Sequence, residues 1–244
     1  MKRLIPVIAL AIVLASSSVW AADATLALDI NSAYVWRGIT FNDGFVAQPS
    51  IDVSKDGFGV NVWANYDIDD YDETLNDYEF SEVDLTVYYG FTLSKLDIGV
   101  GVIEYLFPAG GDSTHEVYLS LGLPIVGGLS VGSTFYYDFD QVEGYYVDLG
   151  LTYAMDITDK FSIEAGARAA YADEDFAVAY GGTDGGLYDY TISLSASYAL
   201  SEAWSVSASI NYTDSLDDDA LPDVEDGGGV DVNTYGGISV AYAF

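Results

Sequence analysis

Residues 58–68 run Phe-Gly-Val-Asn-Val-Trp-Ala-Asn-Tyr-Asp-Ile. Successive side chains of an extended strand point to opposite faces. Phe58, Val60, Val62, Ala64, Tyr66 and Ile68 therefore share one side, and Gly59, Asn61, Trp63, Asn65 and Asp67 share the other. After an acidic stretch the pattern returns: Val83, Leu85, Val87, Tyr89 and Phe91 alternate with Glu82, Asp84, Thr86, Tyr88 and Gly90. The period of two continues through Tyr145–Tyr153 to the last residue, Phe244, and in 188–198 Tyr188, Tyr190, Ile192, Leu194, Ala196 and Tyr198 form the apolar, lipid-facing file.

Twelve strands are predicted, roughly 24–38, 44–54, 58–68, 80–92, 95–106, 115–123, 128–139, 145–155, 160–171, 187–200, 203–213 and 232–244. Short connections such as Lys55-Asp56-Gly57 and Leu93-Ser94 alternate with long ones such as Asp69–Glu79, Ala172–Gly186 and Asp214–Asp231. Turns at one end and loops at the other describe an all-β, transmembrane, antiparallel up-and-down β-barrel in the bacterial outer membrane, with both termini at the periplasmic end. A soluble β-sandwich also alternates, but its connections have no reason to alternate in length. Its outward faces would also carry charge rather than the Gly, Ser, Thr and Tyr found here. Apolar files ending in aromatics, as Trp204…Tyr212 and Phe161…Tyr171 do, fit a lipid-facing wall between two interfacial girdles. Pro49 lies in mid-strand, where a bulge or bend is expected. Glu104 ends the apolar file of its strand, either at the lipid boundary or turned inward by a register shift.

The first 21 residues read as a secretory signal, cut after Ala21 or Ala22: Lys2 and Arg3 precede an apolar run too short to span a bilayer. Residues 22–244 are then the barrel. The chain has 244 residues, 50% of them hydrophobic, with 21 Tyr, 25 Gly and no Cys. That excludes a disulfide framework, and the aromatic content excludes an acidic disordered chain. The formal charge is -32, and loss of Lys2 and Arg3 leaves five basic against 39 acidic side chains. Such a chain repels nucleic acid and favours cations. Lys55, Lys95 and Lys160 lie at short turns, while the long loops hold no Lys or Arg.

The segment Ser32-Ala33-Tyr34-Val35-Trp36-Arg37-Gly38-Ile39-Thr40, followed by Pro49 and the Gly-Val-Asn-Val-Trp strand, resembles the opening of the TorF-type porin family over residues 32–65. The resemblance implies an outer-membrane pore of this length with a C-terminal aromatic. Ala33 stands where the family tends to have an acid, and Phe41 near a family Gln, so Arg37 needs a different partner here.

By parity the interior carries Asp29, Asp52, Asp67, Asp84, Asp97, Glu116, Asp138, Asp148, Glu164 and Asp189, with Arg37 and Arg168. Excess carboxylates in a low-dielectric tube concentrate cations. The expected function is passive diffusion of small solutes through a narrow, cation-preferring passage, with Arg37 and Arg168 as constriction or plug partners. The alternatives are a barrel plugged by ion pairs around those arginines, helped by inward Tyr88, Tyr105, Tyr118, Tyr136 and Tyr146, or a receptor or adhesin using its acidic loops. The sole histidine, His115, is read as facing outward across from Glu104, with no hydroxyl nucleophile assigned beside it, so the chain is read as a non-enzyme. No cofactor is expected. The acids of 223–231 offer oxygen ligands for Ca²⁺ without the spacing of a helix–loop–helix site. Membrane lipid, and the barrel-assembly machinery acting on Phe244, are the expected partners.

Overall fold

The computed structural model describes residues 22–71, 75–224 and 229–244. The predicted signal lies outside them, as do the loop acids Asp72, Glu73, Glu225 and Asp226. Among the described residues, fourteen strands and one short helix follow in order: β1 Asp23–Asn31, β2 Tyr34–Trp36, β3 Ile39–Asn42, β4 Val46–Lys55, β5 Phe58–Asp67, β6 Phe80–Leu93, β7 Leu96–Leu106, β8 Thr114–Val126, β9 Leu129–Asp138, β10 Tyr145–Thr158, β11 Phe161–Ala172, α1 Glu174–Ala179, β12 Gly186–Ala199, β13 Trp204–Ser215 and β14 Thr234–Ala243. Strands β1 and β4–β14 close into a twelve-stranded barrel, each paired with its sequence neighbours. β1 seals it, with Leu28 opposite both Val240 of β14 and Pro49 of β4, all antiparallel. Closure leaves no unpaired edge, which a β structure surrounded by hydrocarbon requires.

The outer face is the apolar one. Leu28, Val60, Val102, Leu119, Leu151, Leu194 and Ile210 are all exposed large hydrophobics. Rings gather at both ends of this wall. Tyr66–Phe80, Tyr145–Tyr171 and Tyr190–Tyr212 pair at the loop end. Phe58–Tyr89, Trp204–Tyr242 and Tyr242–Phe244 pair at the turn end. An apolar band between two aromatic girdles is stable in a bilayer and not in water.

Three expectations need correction. The predicted first strand, 24–38, leaves the wall at Asn31, and residues 34–42 form a separate hairpin, β2–β3, paired only with itself. Its tip turns through Arg37 (φ 50) and Gly38 (φ 82). A Cβ at residue 38 would lie 2.7 Å from Leu221 Cδ2 and 2.8 Å from Asp189 Cβ, so only glycine fits there. Second, Tyr188 does not face lipid. Between the pairs Ala169↔Tyr190 and Tyr171↔Leu187 the register slips by one, so β12 carries an extra residue. That bulge turns Tyr188 inward, fully buried, and leaves Leu187 exposed. Third, Pro49 interrupts the β4–β5 ladder without a bulge, since Ala47↔Tyr66 and Ser50↔Trp63 keep one register. Glu104 stays on the outer file, opposite Leu85 and His115.

Candidate functional site

The long loop between β1 and β4 folds back into the barrel rather than standing out from it. The β2–β3 tip lands on Arg37, whose guanidinium makes two hydrogen bonds to Glu116 of β8, Nη1 to Oε1 at 2.6 Å and Nη2 to Oε2 at 2.8 Å. Arg37 is 8% exposed and Glu116 2%. Glu116 also accepts from the Tyr105 hydroxyl at 2.8 Å. Four rings surround the cation: Tyr136 at 4.1 Å, Trp36 at 4.2 Å, Tyr146 at 4.7 Å and Phe176 at 5.5 Å from their centroids. A planar guanidinium suits this place because its edge meets the carboxylate fork while its faces lie on aromatic rings.

A second ion pair lies beside the first. Arg168 Nη2 of β11 is 2.8 Å from Asp189 Oδ2 of β12. Tyr146 bridges them, accepting from Arg168 Nη1 and donating to Asp189 Oδ1 at 2.7 Å. The bulge that buries Tyr188 sets Asp189 in this place.

Three loops complete a cap over the hairpin. Asp173, the residue after β11, caps α1, accepting from the Phe176 N–H at 3.0 Å, with Glu174 and Asp175 in the first turn. α1 presses Phe176 and Ala177 against Tyr146, Tyr188, Ile39, Leu221 and Val230 in one buried cluster. Thr40 N–H donates to the Gly229 carbonyl at 2.7 Å, and Asn42 Nδ2 to Asp67 at 2.7 Å. Burial pushes the phenol of Tyr180, just past α1, well above its ordinary value, so it stays neutral against Trp36.

Burial falls along the tube. At the loop end Asp67, Glu82, Glu116, Asp138 and Asp189 are buried. Further down Asp29, Asp52, Asp84 and Asp148 are half-buried, and near the turns Asp97 and Glu164 are exposed. Beside the Arg37–Glu116 bridge a void of about 20 Å³ remains, room for about one water. Two larger voids lie deeper, of about 510 and 460 Å³, sharing Asn211 and Tyr235 in their walls. The inner face there is small or hydroxylated: Gly132, Ser133, Gly150, Thr152, Gly166 and Ser193 line the second void.

The predicted lumen residues thus divide. Arg37, Glu116, Arg168 and Asp189 form the two adjacent ion pairs, though Arg37 reaches them from the hairpin tip and not from the strand that the sequence suggested. Asp138 is close above, accepting from Thr114 Oγ1 at 2.6 Å. Asp52 accepts from Tyr88 at 2.9 Å, and Asp97 from Thr92 at 2.6 Å near a turn. Asp29 and Asp148 line the deeper voids. Asp84 lies across from Trp63 and Tyr105, and Glu164 across from Ala154 and Ser195. His115 Nδ1 is 3.0 Å from Asp140 and Nε2 is 3.9 Å from Glu104, so carboxylates flank the ring on both sides. The cap residues Tyr34, Trp36, Phe176 and Tyr180, and Glu82, which accepts from the Tyr34 hydroxyl at 3.0 Å, were not anticipated.

No curated protein matches the sequence. Among solved structures, the porin KdgM shares 15% identity with a TM-score of 0.58, covering 90% of this chain and 99% of that one. The COG4313 outer membrane channel from Pseudomonas putida F1 shares 9% with a TM-score of 0.57, covering 94% and 97%. The NanC porin shares 15% with a TM-score of 0.54, covering 88% and 98%. At these identities the likeness concerns the fold, and it agrees with the wall described above: this is an outer-membrane β-barrel. Residues 16–223 match the family described as "Bacterial protein of unknown function (Gcw_chp)", and the chain belongs to that family.

Proposed function

We propose that the barrel is a narrow channel for passive diffusion of small solutes, that it prefers cations, and that the β2–β3 hairpin holds its loop-side mouth shut. The observation that carries this reading is the distribution of charge against burial. Both lumenal arginines are spent on Glu116 and Asp189, which leaves Asp29, Asp52, Asp97, Asp148 and Glu164 along the tube below the constriction. Unbalanced carboxylates in a confined passage draw in cations and repel anions. KdgM has been solved with disordered oligogalacturonate, a polyanion. The acids here favour the opposite sign of solute. The TorF-type resemblance of residues 32–65 points to the same class of activity.

A barrel that never opens is the competing reading, and the buried ion pair at its mouth favours it. Purified protein in a planar bilayer under a KCl gradient separates the two. Currents should reverse at a potential of the cation-selective sign. Asp29→Asn combined with Asp148→Asn should lower the cation/anion permeability ratio roughly twofold or more. Anion selectivity, or no current even after the hairpin latch is removed, would overturn the proposal.

A further inference from the structure

The void of about 510 Å³ has walls of a different chemistry from the constriction above it. No Lys or Arg lines it, and its single carboxylate is Asp29. Amides and hydroxyls dominate instead: Asn31, Gln48 and Asn211, with Ser207 and Ser209 of β13. Trp63 of β5 supplies an aromatic surface.

Asn31 and Gln48 are held in place by a chain of side-chain hydrogen bonds. Asn31 Nδ2 donates to Gln48 Oε1 at 2.8 Å, and Gln48 Nε2 donates to Asn65 Oδ1 at 3.0 Å. Asn65 Nδ2 donates in turn to Asp67 Oδ1 at 2.9 Å. Asn65 spends its second N–H on Ser81 Oγ at 2.9 Å, whereas Asn31 and Gln48, which line the void, are fixed in orientation and each keep one N–H and acceptor capacity for something else. Fixed donors and acceptors beside an aromatic face lower the ordering cost of binding. The size lies within the range of small-molecule sites, about 300–1,000 Å³.

We infer that this void is a binding site for an uncharged polyhydroxylated solute of mono- to disaccharide size. Hydroxyl groups both donate and accept, which matches amides, serines and one carboxylate acceptor in alternation. The C–H face of such a solute suits the Trp63 ring. An anionic sugar would bring its carboxylate to a wall that offers Asp29 and no cation, at a desolvation cost nothing repays. Tyr34 and Val35 of β2 form part of the same wall, and the Tyr34 and Trp63 rings lie 5.4 Å apart, so a bound solute would touch the hairpin itself. The inference rests on the proposed lumen being reached by solvent from the turn side.

The test is a titration of the full detergent-solubilised barrel with maltose and with galacturonate, followed by saturation-transfer NMR and calorimetry. Maltose should bind saturably and galacturonate at least roughly tenfold more weakly. Trp63→Ala and Gln48→Leu should each weaken maltose roughly tenfold, while Trp63→Phe, which keeps a ring, should retain most of the affinity. A heat-dependent gel shift and circular dichroism establish that each variant is a folded barrel. Absence of saturable maltose binding, equal binding of galacturonate, or full affinity in both folded Trp63→Ala and Gln48→Leu would overturn the inference. Binding is read here without any current. A barrel that binds but never conducts defeats the channel proposal alone, and one that conducts but does not bind defeats this inference alone.

Discussion

Arg37→Ala should open the barrel. Removing one member of a buried, hydrogen-bonded ion pair strands the other, at a cost of about 3–5 kcal/mol. Glu116, 2% exposed, would be left with the Tyr105 hydroxyl as its remaining donor. The loss falls on docking of the hairpin and not on the barrel, because β2 and β3 pair only with each other while the wall closes through β1, β4 and β14. Every 1.4 kcal/mol is a factor of ten in an equilibrium, so the ratio of docked to undocked hairpin should fall by roughly two to three and a half orders of magnitude. Single-channel recordings should show this as a large rise in open probability, with the gel mobility of the folded barrel unchanged. Glu116→Gln keeps the shape of the carboxylate and removes its charge, so it should act in the same direction with a smaller effect. Wild-type gating in a folded Arg37→Ala protein would show that the hairpin does not control the mouth.

Leu151→Arg should impair the barrel where Thr152→Arg does not. Leu151 is 51% exposed and sits in the middle of β10, between Tyr145 and the turn after Thr158. A charged side chain at the bilayer midplane of such a wall costs about 2–4 kcal/mol. One residue on, Thr152 lines a lumenal void beside Gly150 and Gly166, where an arginine keeps its water. Refolding into lipid vesicles followed by urea titration should show the first variant destabilised by about that amount and the second close to wild type. Equal effects at the two positions would mean that the faces are not lipid and water.

The period of two made the wall legible. Polar and apolar files are a local property of each strand, and the alternation of turn and loop lengths followed the same rule. The hairpin was not legible, because Tyr34, Trp36 and Arg37 fall on the same files as Ile30 and Asn31 of β1, and Ser32, Ala33 and Val35 blur the alternation without a Gly or Pro to mark a turn. What lifts them off the wall is a partner 79 residues away, Glu116, together with rings from α1 and β10. Tyr188 misled for a related reason. An aromatic at the end of an apolar file reads as a girdle residue, and a one-residue bulge leaves no mark in local pattern. The start of α1 did leave one: Asp173 followed by Glu174 and Asp175 is a helix N-terminus signal. The helix is a single short turn inside the long connection 172–186, too brief to show a period of about 3.6. Arg37 and Arg168 stand in the sequence as expected constriction or plug partners among many acids. Which acids they would choose depended on the fold.

Side-specific access to the lumen tests the closed mouth most directly, and the absence of native cysteine makes it clean. A single cysteine at Ser193, in the wall of the deeper void, is exposed to a membrane-impermeant maleimide from either face of an oriented vesicle. Labelling should be fast from the turn side and at least roughly a hundredfold slower from the loop side. Arg37→Ala should bring the loop-side rate up toward the other. Equal labelling from both sides in the protein with Arg37 intact would contradict a mouth held shut by its own hairpin.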